Sequence, residues 1–274
     1  MSEIIVVKVG GGAGVDVDSV CADLAVLAHT GKRLVLVHGT SAAVDRLSER
    51  VGVPRRTLQS PSGHVSRYTD PETLELYVMA ANGQVNTTLT AKLQALGVNA
   101  LGLSGVDGRL MAAQRKDAVR VIDPSNGRQR IVRDDFTGKI ERINAELLQL
   151  LLANGYLPVI APLAISQACE PLNVDGDRAA AMIATALRAE TLVILTNVPG
   201  LLARFPDESS LVRHVPRAHL ERALELAGGR MKKKILAAQE ALEGGVQRIL
   251  LADSRRPQPL QTALAGEGTA ITHD

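Results

Sequence analysis

Aromatic side chains are nearly missing: 274 residues hold no tryptophan, three tyrosines and two phenylalanines. Single-stranded nucleic-acid platforms stack bases on such rings, so that class is excluded. An excess of one charge is missing too. The 31 Lys and Arg against 29 Asp and Glu leave +2, too little for wholesale phosphate-backbone binding. Cysteine is scarce. Cys21 and Cys169 lie far apart, with no CxxC pair and no metal-ligand spacing, so they read as small buried hydrophobes rather than metal ligands. The lack of a disulfide framework fits a reducing compartment. No basic segment precedes the apolar run at Ile4, so no signal peptide is expected. The most apolar long stretch, Leu147 to Ile165, is broken by Gln149, Asn154, Gly155 and Pro158, which argues against a membrane span. A cytoplasmic protein is expected.

What remains is an ordinary globular balance, 46% hydrophobic and 22% charged. The length suits one large domain or two lobes, enough to fold without disulfides or metal. Short apolar runs alternate with helical patterns. Strands are expected at Glu3–Val9, Arg33–His38, Val98–Leu103, Tyr156–Ala161, Leu192–Thr196 and Arg248–Ala252. Helices are expected from Asp16 or Asp18, from about Ser41, from Asp70-Pro71 to Leu96 with a break at Asn82-Gly83, and at Ile143–Asn154. Others follow from Asp177, from about Pro216, at Met231–Glu243 and near Pro259–Ala265. Leu110–Arg115, Val119–Ile122 and Arg130–Arg133 read as short strands, the last two joined by a turn over 123–127. This alternation predicts an α/β fold with a mainly parallel sheet covered on both faces. Two lobes on one continuous sheet, changing role near residue 170, are expected.

Ligands in such folds sit beyond the carboxyl ends of strands. The first strand ends Lys8-Val9-Gly10-Gly11-Gly12. A lysine among Val6, Val7 and Val9 is costly in a buried strand unless it meets an anion. With glycines and a following helix N-terminus it reads as a phosphate site. The P-loop pattern is absent, because the pairs Gly31-Lys32 and Gly138-Lys139 are followed by Arg and Ile. The dinucleotide pattern fails as well, since position 15 is Val. The second strand ends His38-Gly39-Thr40-Ser41. His38 reads as a backbone-bonding side chain rather than a base, while Thr40 and Ser41 offer hydroxyls and N–H groups to an anion. Arg67, in the polar stretch Ser62–Asp70, has the geometry for bidentate carboxylate recognition. In Asn173-Val174-Asp175-Gly176-Asp177, Asp175 or Asp177 caps a helix, or Asp177 holds the ammonium groups of lysines. The run Gly228-Gly229-Arg230-Met231-Lys232-Lys233-Lys234 places cations at a helix start, which is unfavourable without an anion. Successive helical residues point about 100° apart, so only one or two of the three lysines face a common target.

These pieces, in this order, resemble the amino acid kinase family over nearly the whole chain. Lys8-Val9-Gly10-Gly11 resembles its first loop and His38-Gly39-Thr40-Ser41 its His-Gly-Gly loop. Asn173–Asp177 resembles its Asn-x-Asn-Ala-Asp motif. Thr196-Asn197-Val198-Pro199-Gly200-Leu201 is similar to its nucleotide loop, and Gly229–Lys234 to its Gly-Gly-Met-x-x-Lys helix start. The layout is that of the acetylglutamate kinases. The Gly63–Asp70 and Arg230–Lys234 segments resemble a branch whose substrate is α-aminoadipate, joined by its amino group to the C-terminal glutamate of a small acidic carrier protein. Some relatives accept carrier-bound glutamate.

The resemblance implies a three-layer αβα sandwich, one domain over 1–274, with a substrate lobe at about 1–170 and a nucleotide lobe at about 171–274. It implies ATP and Mg²⁺ (as MgATP) and a homodimer paired through about Pro71–Leu96. Carried over by position, Lys8 and Lys234 resemble transition-state lysines and Asp177 the aspartate that positions them. Thr40, Ser41, Arg67 and Asn173 match substrate-binding positions. Gly10, Gly11, Asn197, Val198, Pro199, Gly200, Leu201 and Leu202 match phosphate and nucleotide contacts. Two positions depart from the pattern: Thr40 replaces a glycine and Asp175 an asparagine.

Residues 109–133 carry Arg109, Arg115, Lys116, Arg120, Arg128, Arg130 and Arg133 against Asp117 and Asp123, +5 by count on a chain of +2. Such a patch can steer an acidic partner, with Arg128 and Arg130 as the docking residues. A solvated hairpin is the alternative. Rival readings are a kinase for free N-acetylglutamate, a uridylate or carbamate kinase, and a non-catalytic nucleotide- or amino-acid-binding module.

Overall fold

The apolar run at the start of the sequence becomes strand β1 (Ile4–Val9), buried at every position. In this computed structural model, residues 3–12, 14–61, 63, 65–123 and 126–274 are described. Ser62, His64, Pro124 and Ser125, which belong to two loops read above, lie outside them.

After β1 come α1 (Val17–His29), β2 (Arg33–His38), α2 (Ser41–Val51), the hairpin β3 (Thr57–Gln59) and β4 (Val65–Arg67), α3 (Pro71–Val78) and α4 (Thr87–Ala95). The middle adds β5 (Ala100–Ser104), β6 (Met111–Arg115), the hairpin β7 (Val119–Ile122) and β8 (Gln129–Val132), β9 (Gly138–Ile143) and α5 (Ala145–Ala153). Next are β10 (Leu157–Ala161), β11 (Leu163–Ile165), β12 (Pro171–Asn173) and α6 (Gly176–Ala186). The last third holds β13 (Thr191–Thr196), β14 (His214–Pro216), α7 (Leu220–Leu226), α8 (Gly229–Glu243), β15 (Arg248–Asp253), α9 (Pro259–Leu264) and β16 (Thr269–Thr272).

Eight strands form the main sheet in the order β14-β16-β15-β13-β1-β2-β10-β5. All its pairings are parallel except β15 with β16. Side chains alternate across it. Ile4 and Val6 pack with α5, α6 and α8, whereas Ile5, Val7 and Val9 pack with α1, α4 and α9. The result is the expected αβα sandwich. Lys8 has the parity of Ile4 and Val6, so it points toward α6 and α8.

The strand order changes direction at β1: β2, β10 and β5 lie on one side of it, and β13 and β15 on the other. A crevice opens at such a switch point, outside the carboxyl ends of the strands. Three aspartates start helices around it. Asp16 accepts Ser19 N–H, Asp70 accepts Thr73 N–H ahead of Pro71, and Asp175 accepts the N–H groups of Asp177 and Arg178.

One expectation changes. The helix from Pro71 does not break at Asn82-Gly83; a π-helical stretch (Met79–Asn86) carries it through to α4. The helix expected from about Pro216 is present: Pro216 ends β14 and caps a 3-10 turn (Arg217–His219) that runs into α7. The short strands β3, β4, β11, β12, β14 and β16 and the half-exposed β9 have no apolar period strong enough to announce them.

Candidate active site

Three charged side chains converge beyond the end of β1. Lys8 Nζ lies 2.7 Å from Asp177 Oδ1. Lys234 Nζ lies 3.0 Å from both Asp177 oxygens. All three are buried. The sheet supplies Lys8, the first turn of α6 supplies Asp177, and α8 supplies Lys234. Alanines let α6 and α8 approach closely enough: Ala180 and Ala184 face the same core as Ala237, Ala238 and Ala241.

Burial alone would raise the Asp177 carboxyl, but the two ammonium groups outweigh it and hold it well below the usual carboxylate range. Burial and the Lys8 charge draw Lys234 down to about 8, against the opposing pull of Asp177. The three side chains by themselves carry +1, and the half-buried Asp175 carboxylate at the start of α6 also acts on Lys234. Both ammonium groups lean on the one buried carboxylate, which leaves them able to receive an anion at the mouth of the crevice.

Above this triad the loops after β1 and β2 cross with their backbones touching. A Cβ on Gly11 would fall 2.2 Å from Gly39 C and Thr40 N, and a Cβ on Gly39 would fall 2.2 Å from Gly11 N. Only glycine fits at either place. The crossing is tied by Ala42 N–H and Ser41 Oγ, which donate to Gly11 O at 2.7 and 3.0 Å. Gly176, at the start of α6, comes 3.6 Å from Lys8 Cε, measured from the position of a built Cβ. The first loop, the second loop and the α6 N-terminus therefore meet around one lysine.

Arg67, on β4, is held by an ion pair to Asp45 of α2 and lies 3.5 Å from Ser41 O. Asn173 Nδ2 donates to Thr69 Oγ1 at 2.9 Å. Thr40 is buried, at 4% exposure, so its branched side chain sits in the interior. Asp175 spends one oxygen on capping α6, through N–H groups at 2.9 and 3.1 Å. Of the lysine run, Lys234 meets Asp177, and Lys233 Nζ reaches across to Val65 O of β4 at 3.4 Å.

A model of the amino acid kinase family matches residues 3–253. The chain belongs to the amino acid kinase family. It is 51% identical over 269 residues to the LysW-aminoadipate kinase of Deinococcus radiodurans, covering 98% of this chain and 91% of that one. It is 50% identical over 270 residues to the LysW-aminoadipate kinase of Thermus thermophilus, covering 98% and 100%. Among solved structures it superimposes on N-acetylglutamate synthase from Neisseria gonorrhoeae with a TM-score of 0.80 at 26% identity. That match covers 99% of this chain and 60% of the longer synthase chain. The chain is thus a kinase that uses ATP and phosphorylates a carboxyl group.

In this kinase the residues of the loop after β13 divide by burial. Asn197 is exposed and Val198 half-buried, whereas Pro199, Gly200, Leu201 and Leu202 are buried. Leu201 N–H donates to Thr269 Oγ1 at 2.9 Å, and Leu201 O accepts Val212 N–H at 2.8 Å. Leu201 thus anchors the loop. Gly10 lies where a Cβ would meet Val15 at 3.5 Å, an ordinary contact.

Around Arg67 the structure adds one side chain the sequence did not single out and redirects another that it did. Asp135, buried, accepts Thr69 N–H at 2.9 Å and the Thr137 hydroxyl, and so ties the segment after Arg67 to Thr137, which itself bridges to Asn173 of β12. Nothing in the pair Asp134-Asp135 signals which of the two is buried. Arg115, counted with the basic patch, turns inward instead. Its guanidinium lies 3.6 Å above the Phe136 ring, 3.0 Å from Glu170 and within reach of the Arg133 and Asp135 carbonyls. Arg128 and Arg130 stay exposed on the β7–β8 hairpin beside Ile131, which is 55% exposed. The hairpin is not isolated. Val121 and Val132 pack with Leu58 of β3 and with Tyr68, so it rests on the hairpin that carries Arg67.

No helix among the described residues is long and apolar enough to cross a membrane.

Proposed function

We propose that this kinase phosphorylates the side-chain carboxylate of α-aminoadipate borne on a small acidic LysW-like carrier protein, a step of lysine biosynthesis. The observation that carries the reading is the likeness, near 50% over essentially full length, to two kinases named for that substrate. The Lys8–Asp177–Lys234 cluster supports the chemistry.

An acceptor carboxylate is ionised at pH 7, since its unperturbed pKa is about 4. It needs no general base. The obstacle is repulsion between that anion and the γ-phosphate. Lys8 and Lys234 spread the charge of the transferring phosphoryl group, and Asp177 holds both ammonium groups in place. The N–H groups of Gly10, Gly11 and Thr40 line the same path, and Arg67, Ser41 and Asn173 receive the substrate. Residues 197–202 seat the nucleotide, so 1–170 act as a substrate lobe and 171–274 as a nucleotide lobe. Mg²⁺ enters with ATP as part of the nucleotide substrate. The bond formed joins the acceptor carboxylate oxygen to phosphorus as the bond to the ADP oxygen breaks, giving an acyl phosphate.

The exposed Arg128 and Arg130 and the mouth of the site offer cations to an acidic carrier. A crevice of about 160 Å³ beside Asp175 presents Lys116 and Lys139, neither with a carboxylate partner among the described residues. A homodimer through α3, the π-helical stretch where Met79 is exposed, and α4 completes the proposal.

The likeness to a synthase solved with N-acetyl-glutamate favours a second reading, a kinase for free N-acetylglutamate. Hydroxylamine trapping tests both, with ATP and either carrier-bound aminoadipate, free N-acetyl-aminoadipate or free N-acetylglutamate. Hydroxamate formed with the carrier alone supports the first reading; efficient hydroxamate from free N-acetylglutamate replaces it by the second.

A further inference from the structure

Asn86 puts an amide inside the sheet, at the end of the π-helical stretch Met79–Asn86. Its Nδ2 lies 2.8 Å from Val159 O on β10, 3.3 Å from Leu103 O on β5 and 3.1 Å from His38 Nε2 on β2. Carbonyls only accept, so the atom they share must be the NH₂ group. Space for the amide comes from Gly102, where a Cβ would lie 2.3 Å from Asn86 Oδ1. One side chain thus bridges three neighbouring strands. A π-helical turn is a common way to deliver a side chain to a functional position.

The orientation has a consequence for His38. Its Nε2 shares the two amide protons with the two carbonyls. An amide nitrogen accepts no hydrogen bond, so a protonated Nε2 would have no partner there; Nε2 is therefore the bare, accepting nitrogen. A neutral imidazole that accepts at one nitrogen carries its proton on the other. Nδ1 lies 3.4 Å from Gly39 O, the acceptor for that proton. His38 is fully buried, and burial together with Lys8 holds it neutral, at about 4, although the bond to Gly39 opposes the shift.

Gly39 O and Thr40 N–H belong to one trans peptide and point in opposite directions. Holding the oxygen on His38 turns the N–H away from it. This is the peptide pressed against Gly11, and its N–H takes no partner among the described residues.

We propose that Asn86 and His38 are positioning residues for phosphoryl transfer: Asn86 holds His38 in the Nδ1–H tautomer, and His38 holds the Gly39–Thr40 peptide with its N–H presented to the transferring phosphate. The inference rests on the kinase reading for its kinetic readout alone. The tautomer is read on the free protein.

Two-bond ¹H–¹⁵N spectra of histidine-labelled wild type should show His38 with a protonated Nδ1 and a bare Nε2, unchanged from pH 8 to pH 5.5. The variants then separate presentation from packing. His38→Asn places an amide nitrogen where Nδ1 sits; His38→Gln places its amide where Nε2 sits. With one transition-state donor worth about 10²–10³ in rate, His38→Gln should lose about 100-fold in kcat with little change in KM for MgATP. His38→Asn should keep more than about a tenth of kcat. Asn86→Asp, which has no N–H to give, should move the proton to Nε2 and follow His38→Gln. A wild-type His38 protonated at Nε2, or titrating in that pH range, overturns the proposal whatever the variants do. Equal losses in His38→Asn and His38→Gln, or wild-type kcat in both, overturn it too. Failure of the trapping assay with all acceptors would remove the kinase reading and leave the tautomer result standing.

Discussion

Lys234 sets its ammonium 3.0 Å from both carboxylate oxygens of Asp177, while Lys8 approaches one of them at 2.7 Å. One carboxylate fixes two cations that would otherwise repel each other at the bottom of the crevice. Lys8→Ala should therefore lose about 10³-fold or more in kcat with the fold intact, because a charge at the transferring group acts mainly in the transition state. Asp177→Asn should do two things. It should lower kcat and also cost about 3 kcal/mol of stability, the usual penalty for breaking a buried ion pair from one side. Steady-state kinetics and denaturant unfolding check both variants.

A pH limit follows from Lys234. Its ammonium is held at about 8, below its ordinary value. In the proposed mechanism, deprotonation above that pH removes one of the two cations at the transferring group, so kcat/KM, which reports the free enzyme, should fall as pH rises through about 8. Lys234→Arg cannot lose its proton in this range. Its kcat/KM should be lower but flat to pH 9.

The glycine crossing is intolerant of any side chain. Gly39→Ala and Gly11→Ala each require the two loops to separate, since the added carbon would stand 2.2 Å from backbone. Loss of activity by about 100-fold or more is expected. Gly14→Ala is the control for a bulkier loop. A Cβ there meets nothing within 4 Å, and the cost is confined to the positive φ of 86°.

Much of this site was legible beforehand. Lys8 stood out because a lysine between valines in a buried strand needs an anion nearby. Helix-start chemistry leaves Asp177 as one of two readings and says only that one or two of Lys232, Lys233 and Lys234 face the site; the family resemblance picks Lys234, and only the fold brings α6 and α8 beside β1. Asn86 and Asp135 were not visible. Each is a common polar residue whose meaning comes from long-range neighbours, 73 residues apart for the Asn86–Val159 bond and 66 for Thr69–Asp135. Arg115 looked like its basic neighbours until the Phe136 ring and Glu170 showed where it points. The main strands were legible from their unbroken apolar runs; the short edge strands lack that signal.

His38 also shapes acid stability. Its folded value, about 4, lies below the 6.5 of a free histidine. The unfolded chain therefore binds more protons between pH 6.5 and pH 4, so stability falls with pH across that window. The full shift corresponds to about 3 kcal/mol. Urea unfolding of wild type should show this slope, and His38→Asn should flatten it.

Charge on the β7–β8 hairpin should matter for the carrier alone. Arg128→Glu with Arg130→Glu should raise KM for carrier-bound substrate about tenfold at low salt, with kcat retained and the effect shrinking as salt rises. Arg115→Ala should behave differently. It should destabilise the protein through lost packing on Phe136, with no salt-dependent change in KM.

The account turns on which acceptor this kinase takes. The most direct measurement is the ratio of kcat/KM for carrier-bound aminoadipate to that for free N-acetylglutamate, read as hydroxamate from the trapped acyl phosphate. The account predicts a ratio of at least about 10³, built from docking and from substrate positioning together. A ratio near or below one would contradict it, and would make this a kinase for a free acyl amino acid.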